Sequence, residues 1–218
     1  MKTETTETTN KIKTSSILYV LASGCMWGCM GMLVRPLNEI GLEIMDICFL
    51  RGVVTFAVML VALLIFDRSA LKVRAKDIWC FIGTGALSVS FFNFCYFKTI
   101  TLTSLSVAAV LLYTAPAFVM IMSSFLFKEK MTGKKIAALA IAFAGCVLVS
   151  GVINGSGTLN AKGVLVGLGA GFGYALYSIF GRYALQRGYS SITITFYTFV
   201  FATLATVFMA DVSSIINI

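Results

Sequence analysis

Polar and aromatic side chains that lie inside long apolar stretches are the residues of this chain best suited to chemistry. They are Trp27, Arg51, Asn93, Tyr96, Tyr113, Pro116, Tyr174 and Tyr177. In a membrane-embedded cavity, aromatic rings cover the apolar surface of a solute, and hydroxyl and amide groups orient it. The set therefore predicts a binding site for a small-molecule solute. For each residue taken singly, packing between helices is the open alternative.

Arg51 adds a charge to this set. It lies about two turns into an apolar segment, roughly 10 Å deep at a rise of 1.5 Å per residue. A charge at that depth costs at least about a few kcal/mol unless a partner satisfies it, which makes Arg51 a functional candidate. Its long stem could instead carry the guanidinium to the lipid headgroups. Both interpretations stay open.

Pro116 lies near the middle of an uncharged stretch from Ser104 to Phe127, whose 24 residues are enough to cross a membrane. A proline inside a helix removes one backbone hydrogen bond and clashes with the preceding turn. In a bilayer the freed carbonyl must be satisfied by a neighbouring helix, a hydroxyl group or water. The position of Pro116 therefore predicts a broken helix that forms one wall of the cavity.

The sequence offers little to a catalytic or metal centre. It contains no histidine, no paired carboxylates within an apolar segment and no cluster with metal-ligand spacing. Its cysteines form no CxxC pair, so neither a zinc site nor a disulfide framework is predicted. We therefore expect no enzyme activity, no catalytic residue, no metal and no cofactor. The six cysteines, which lie in or beside apolar segments, are Cys25, Cys29, Cys48, Cys80, Cys95 and Cys146.

The composition indicates a membrane protein. Of the 218 residues, 59% are hydrophobic and only 12% are charged, and the mean hydropathy is +0.94. A soluble domain cannot bury that much apolar surface, so the lipid bilayer is the expected partner. The net charge of +8 is divided among short loops instead of forming one patch, which argues against nucleic-acid binding.

The apolar segments predict an all-α polytopic membrane protein with about seven transmembrane helices. Residues 1–16 are polar and Thr-rich, and we expect a disordered cytoplasmic tail there. A Gly- and Ser-containing stretch within residues 153–162 predicts an external linker. The predicted helices cover residues 17–34, 44–66, 78–97, 104–127, 136–151, 163–181 and 192–210.

The basic residues predict the orientation of these helices. With the N-terminus in the cytoplasm, thirteen lysines and arginines lie on the cytoplasmic side and three lie outside, while Arg51 lies within a helix. This excess agrees with the positive-inside rule. We therefore expect a multi-pass protein of the plasma membrane (the inner membrane of a bacterium) with a cytoplasmic N-terminus.

An internal repeat is visible when the sequence is shifted by 147 residues. Without a gap, Arg35 then meets Arg182, Gly41 meets Gly188, and Trp27 meets Tyr174. The first unit contains five predicted helices, an odd number, so the second unit starts on the opposite side of the membrane. Such inverted repeats are common in secondary transporters. We expect a first repeat over residues 17–152 and a second, over 163–218, that is truncated to two of five helices.

Several short motifs resemble the EamA domain of the drug/metabolite transporter superfamily. They are Trp27-Gly28, Leu50-Arg51, Thr103-Ser104, Tyr113-Thr114-Ala115-Pro116, Phe127-Lys128-Glu129-Lys130 and Gly145. The resemblance covers residues 17–150 as a complete domain and 163–210 as a partial one. It implies two five-helix repeats and transport, often export, of amino acids, related metabolites or amphipathic drugs. The second copy departs from the first at Thr198, which stands where the first copy has Arg51.

The favoured function is therefore secondary transport of small organic solutes, since the sequence carries no ATP-binding signature. A non-transporting fragment or a helper subunit of a membrane complex remains the alternative, because a pathway between repeats needs both of them. A membrane enzyme is disfavoured by the lack of catalytic groups. Assembly into a homo-oligomer stays open.

Overall fold

The computed structural model describes residues 16–26, 37, 41–149 and 160–208. The predicted tail, Trp27 and the second half of the first predicted helix lie outside the described residues. The chain divides into two units, residues 1–43 with 214–218 and residues 44–213. The described part is helical and contains no strand. Its helices are α1 (Ser16–Met26), α2 (Ile44–Phe66), α3 (Ala75–Leu102), α4 (Leu105–Phe127), α5 (Gly133–Val149), α6 (Ala161–Gln186) and α7 (Ser191–Thr206).

Four of the described helices, α2, α3, α4 and α6, are long and apolar enough to cross a membrane. Their spanning segments contain 22 to 28 residues, which at 1.5 Å per residue reach or exceed the ~30 Å of a hydrocarbon core. The described parts of α1, α5 and α7 are shorter. This is the architecture of an all-α polytopic membrane protein.

Helix α3 runs five residues beyond its predicted end and changes its winding on the way. It opens with a 3-10 turn, widens into π-helical turns over Gly83–Ser90, and returns to α-helix over Phe91–Leu102. Lys98, which the sequence placed in a connecting loop, is therefore helical. The hydroxyl of Thr99 donates to the Cys95 carbonyl within this last segment. Periodicity alone does not reveal a π segment, because its residues are as apolar as those of an ordinary helix.

Helix α4 breaks at Tyr113 and Thr114, before Pro116. The sequence predicted one helix interrupted at the proline itself. In the structure the first segment ends at Leu112, the second begins at Ala115, and Pro116 lies in the first turn of the second segment. A proline is well tolerated there, because a first-turn N–H has no partner within its own helix. The proline therefore starts the second segment after the break.

Helix α6 packs against α3 and α4 through a face of glycines spaced four residues apart. Gly163 faces Thr103, Gly167 faces Leu111, and Gly171 faces Thr114 so closely that a Cβ would overlap its hydroxyl. Small residues let helix backbones approach one another in a membrane. The helix continues to Gln186, so its last turns include residues that the sequence assigned to a loop. Through this face, α6 becomes the centre of the described bundle.

Helix α7 lies against α3 and α2. The Thr198 hydroxyl donates to the Thr84 hydroxyl at 2.7 Å, and both side chains are buried. On the other side, the rings of Phe56 and Phe196 stack with their centroids 5.7 Å apart. Thr198 therefore joins α7 to α3. At the position where the first copy has Arg51, the second copy thus has a residue that packs between helices.

Two corners that the repeat predicts to be equivalent have the same backbone conformation. Gly41 has φ +97° and Gly188 has φ +86°, the left-handed region that glycine favours. In each corner the next N–H reaches back five residues: Leu42 to the Leu37 carbonyl at 3.2 Å, and Tyr189 to the Ala184 carbonyl at 3.3 Å. This bond and the left-handed glycine are the Schellman ending of a helix. Helices α2 and α7 then start 147 residues apart.

Candidate functional site

Two of the predicted site residues, Tyr96 and Tyr174, meet through one phenylalanine. The Phe92 ring lies 5.5 Å from Tyr96 on α3 and 5.7 Å, edge to face, from Tyr174 on α6. The phenol groups of Tyr96 and Tyr113 are close enough to interact electrostatically. We call Phe92, Tyr96, Tyr113 and Tyr174 the aromatic group. It joins α3, α4 and α6.

The aromatic group lies well inside the spanning helices. Tyr96 is six residues from the end of α3 and Tyr113 is eight from the start of α4, which correspond to depths of about 9 and 12 Å. Tyr174 is thirteen residues into α6, or about 20 Å. Tyr113 and Tyr174 remain 55% and 43% exposed. The group therefore presents ring faces and hydroxyls within the bilayer-spanning part of the protein.

Asn93 lies next to Phe92 on α3 and one turn from Tyr96. The residue is only 4% exposed, and its amide makes no hydrogen bond to another described residue. An amide can both donate and accept, which suits it to hold a polar group of a solute.

The break in α4 is satisfied by the side chain of Thr114. Its hydroxyl donates to the Leu111 carbonyl at 2.6 Å, and its backbone N–H donates to the same oxygen at 3.1 Å. The N–H of Tyr113 still reaches the Ala109 carbonyl at 3.1 Å. A hydroxyl is one of the groups that can satisfy a broken helix in a membrane. The break is therefore stabilised by hydrogen bonds, and it positions Tyr113 at the end of a helical segment.

The remaining predicted residues lie elsewhere or beside the group. Arg51 is half-buried on α2, where it interacts electrostatically with Cys48, and its neighbour Gly52 packs against Thr203 of α7. Tyr177 is half-buried on α6, one turn beyond Tyr174. Among the described residues, no ring contact joins either of them to the aromatic group. Pro116 is exposed beside the break, and Trp27 lies outside the described residues.

An apolar groove of about 480 Å³ lies between α3, α6 and α7. Phe91, Phe94 and Phe172 contribute rings to it, and its lining is almost free of polar surface. It contains none of the predicted site residues. The groove is therefore separate from the aromatic group.

Two ion pairs at the opposite end of α3 and α6 were missed by the sequence analysis. Arg182 donates to Glu129 at 2.5 Å, and Arg187 donates to Asp77 at 3.0 Å. The other oxygen of Asp77 accepts from Arg74 and from the Tyr189 hydroxyl, each at 2.8 Å. We call this end of the bundle the polar end. The sequence analysis counted its cations only toward orientation, although the Phe127–Lys130 motif contains Glu129.

An aromatic layer lies directly under these ion pairs. The Arg182 guanidinium sits 4.0 Å from the centre of the Phe127 ring, and the Phe127 ring lies 4.9 Å from Tyr183. Tyr183 in turn contacts Trp79 at 5.5 Å, and the Arg187 guanidinium lies 5.0 Å above Trp79. Cation–π contacts of this kind strengthen when water is excluded. The arginines therefore bind both carboxylates and rings.

Charges at the polar end shift one another's pKa values. The hydrogen bond from Arg182 and its positive charge, helped by Lys135, hold the pKa of Glu129 below its ordinary value. The Tyr189 hydroxyl and Asp77 raise the pKa of Arg74. Glu129 is therefore ionised and paired at neutral pH.

No group of three or more histidine, cysteine or acidic side chains that could hold a metal ion occurs among the described residues. Four cysteines are free: Cys25 is exposed, while Cys48, Cys80 and Cys95 are buried. Buried thiols in apolar surroundings behave as small hydrophobic groups. Their role here is packing.

Comparison with known proteins places these features in a family. The model of the EamA-like transporter family matches residues 14–151. The chain is also similar to an uncharacterized transporter of Archaeoglobus fulgidus, at 27% identity over 124 residues. That match covers 57% of this chain and 43% of the relative, so the chain spans less than half the length of the curated protein it matches. No solved structure matches.

Proposed function

The chain belongs to the EamA-like transporter family, and from this membership we propose that it acts as a secondary transporter of a small organic solute. The family match makes it a multi-pass membrane protein. The observation that carries the proposal is the contact of Tyr96 and Tyr174 with Phe92 in spanning helices, together with Tyr113 at the break in α4. A broken helix and aromatic rings inside spanning helices are typical of a solute site in a transporter.

The proposed site uses the aromatic group to cover the apolar part of the solute and Asn93 to orient its polar part. Among the described residues the group contains no acid or base, so these contacts recognise shape and hydrogen bonding. Arg51, half-buried on α2, is proposed to bind a carboxylate when the solute carries one. Tyr177 and Pro116 complete the proposed lining, and Trp27 remains a candidate site residue predicted from the sequence. Amino acids, related metabolites and amphipathic drugs fit this combination, with export as the proposed direction.

The proposed architecture has seven spanning helices arranged as an inverted repeat, with the second copy starting at α6. The shared backbone ending at Gly41 and Gly188 supports this arrangement. The number of basic residues on each side supports a cytoplasmic N-terminus. With that orientation the polar end also lies in the cytoplasm. The proposed location is the plasma membrane. We also include a homo-oligomer in the proposal. The oligomeric state of the purified chain in lipid or detergent is the measurement that tests it.

A solute screen tests the proposal. Cells that lack the gene and cells that overproduce the chain are incubated with a defined mixture of the twenty amino acids, dipeptides and amphipathic cationic dyes. Mass spectrometry then compares what each cell type retains and releases. We expect at least one solute to be depleted from the overproducing cells. If every solute is distributed equally at confirmed membrane expression, the chain does not transport these classes and the helper-subunit alternative replaces the proposal.

A further inference from the structure

We propose that the ion pairs Glu129–Arg182 and Asp77–Arg187 form a gate that closes the solute pathway at the polar end. The inference rests on the proposed transport function and adds to Glu129 three residues that neither the sequence motifs nor the aromatic group contains: Asp77, Arg182 and Arg187. Opening would require Arg182 of α6 and Arg187, which directly follows α6, to leave their carboxylates and exchange them for water.

The two pairs connect segments that are distant in sequence. Asp77 lies at the start of α3 and Glu129 just after α4, and both hold the last turns of α6. The partners are 53 residues apart in one pair and 110 in the other. In the predicted repeat, the carboxylates belong to the first copy and the arginines to the second. The contacts are therefore placed where two repeats must separate if the pathway opens at this end.

Glu129 is held in place by the ending of α4. Lys128 adopts a left-handed conformation with φ 54°, and the Glu129 N–H reaches back to the Ser123 carbonyl at 3.4 Å. The Lys128 N–H reaches the same carbonyl, so a left-handed residue ends the helix here without a glycine. Because the backbone of Glu129 is already ordered, its side chain pairs with Arg182 at a smaller loss of conformational entropy than a flexible loop would require.

The two pairs differ in their contact with water. The side chains of Glu129 and Arg182 are 38% and 37% exposed, whereas the Asp77 side chain is 5% exposed and also binds Arg74 and Tyr189. An exposed pair gains little net free energy and exchanges readily with water. Glu129–Arg182 is therefore the part of the gate that releases first.

The protein beneath the gate is closed. Cys80 and Phe81 of α3 and Ala184 of α6 are completely buried in one cluster, less than one turn of helix inside Asp77. The ring layer of Trp79, Phe127 and Tyr183 covers the same region. The aromatic group, by contrast, keeps half-exposed rings. Ile194 of α7 completes the cluster, so a reagent from the polar end can reach Cys80 when α3 separates from α6 and α7.

Cys80 is therefore a built-in reporter for the gate. In the full chain with its other five cysteines replaced by alanine, reaction of Cys80 with a membrane-impermeant maleimide is timed in lipid nanodiscs. We expect Glu129→Gln and Arg182→Gln each to raise the rate at least about fivefold, a typical size for coupled conformational equilibria. The exchanged pair Glu129→Arg with Arg182→Glu should return the rate toward the original. Lys135→Gln is the matched control, because Lys135 contacts Glu129 at 3.6 Å but lies outside α6.

A second measurement needs no substitution in the gate. Raising the salt from about 0.1 M to 1 M shortens the Debye length from about 10 Å to 3 Å and weakens exposed ion pairs. Salt should therefore speed maleimide labelling of the Cys80-only chain and leave the rate of the Glu129→Gln version nearly unchanged. Equal rates in all gate variants and no salt effect would overturn the gate.

The same experiment separates the gate from transport itself. Labelling reports opening without any solute. Faster labelling in the gate variants supports the gate even where the wild-type chain moves no solute, which would count only against the transport proposal. Normal transport together with unchanged labelling would overturn the gate and leave transport standing.

Discussion

Gly171 of α6 lies directly against Thr114, the residue at which α4 breaks. A Cβ at position 171 would overlap the Thr114 hydroxyl and come within 3.0 Å of the Leu111 carbonyl oxygen, the atom that this hydroxyl satisfies. The break and the glycine face of α6 are therefore one structural feature. It fixes the distance between the helices that carry Tyr113 and Tyr174.

Gly171→Ala tests this feature. The added methyl group must displace the Thr114 hydroxyl and press on the Leu111 carbonyl, and overpacking of this kind costs about 1–3 kcal/mol. We expect a lower thermal midpoint and transport reduced at least severalfold. Gly181→Ala is the matched control on the same helix, because a Cβ there meets nothing within 4 Å. It should be neutral or slightly stabilising, since alanine favours a helix by up to about 1 kcal/mol over glycine. Equal effects of the two changes would contradict the contact.

Thr114→Val tests how the break is satisfied. Valine keeps the shape of threonine but cannot donate to the Leu111 carbonyl, and losing such a bond costs about 0.5–1.5 kcal/mol. We expect a lower thermal midpoint and less transport per molecule in the membrane.

Pro116→Ala tests whether the proline, in addition to Thr114, maintains the break in α4. It removes the ring from the first turn of the second segment and supplies an N–H that could extend the helix across the break. Insertion should be normal and transport should fall by a few fold, because a straighter α4 moves Tyr113. Full transport with Ala at position 116 would show that Thr114 and Gly171 hold the break without the proline.

Acid should weaken the polar end through Glu129. Because Arg182 lowers the pKa of Glu129 below 4.5, the unfolded chain binds this proton more tightly than the folded chain. The stabilisation is therefore complete above about pH 4.5 and is lost as the pH falls through the folded pKa. Thermal midpoints measured from about pH 3 to 7 should fall less steeply in acid for Glu129→Gln than for the wild type. Lys135→Gln, which keeps Arg182, should retain most of the wild-type slope; identical profiles for all three would exclude this role.

The sequence predicted the helices better than it predicted their contacts. Apolar stretches of 18 or more residues define spans because the bilayer sets their length, so α2 was placed from residue 44 to 66, as in the structure, although it contains Asp46 and Arg51. The ends of α3 and α6 were misplaced because Lys98 and Arg182 were read as loop residues. A long basic side chain can stay helical near a membrane surface by extending toward water.

The candidate site was predicted in part. Tyr96, Tyr113 and Tyr174 stood out because polar rings are unusual inside apolar helices, and the structure brings Tyr96 and Tyr174 together on Phe92. Phe92 itself was not predicted, since a phenylalanine in an apolar helix carries no signal. The partnership of Glu129 with Arg182 also could not be read, because it depends on how helices 53 residues apart pack.

Substitutions of Arg51 distinguish between two roles of this arginine, which are binding a solute carboxylate and anchoring the helix at the lipid headgroups. Arg51→Lys keeps a positive charge that can reach the headgroups but loses the planar pair of donors that grips a carboxylate. We expect it to reduce transport of carboxylate-bearing solutes at least about tenfold, and Arg51→Ala to reduce it as much or more. Wild-type transport with Lys at position 51, measured per molecule in the membrane, would reduce Arg51 to an interfacial anchor.

The most direct test of the account is transport by the purified 218-residue chain in liposomes, using the solute that the cell screen identifies. The wild type should exchange internal for external labelled solute, while Asn93→Leu, Tyr96→Ala and Tyr174→Ala should each lower the initial rate at least about tenfold, as expected for loss of contacts made to the moving solute. Phe125→Ala is the control, because this ring of α4 is 82% exposed and lies outside the aromatic group. It should match the wild type. No exchange by the wild type, or equal rates for the aromatic-group variants and Phe125→Ala, would contradict a solute pathway between α3, α4 and α6.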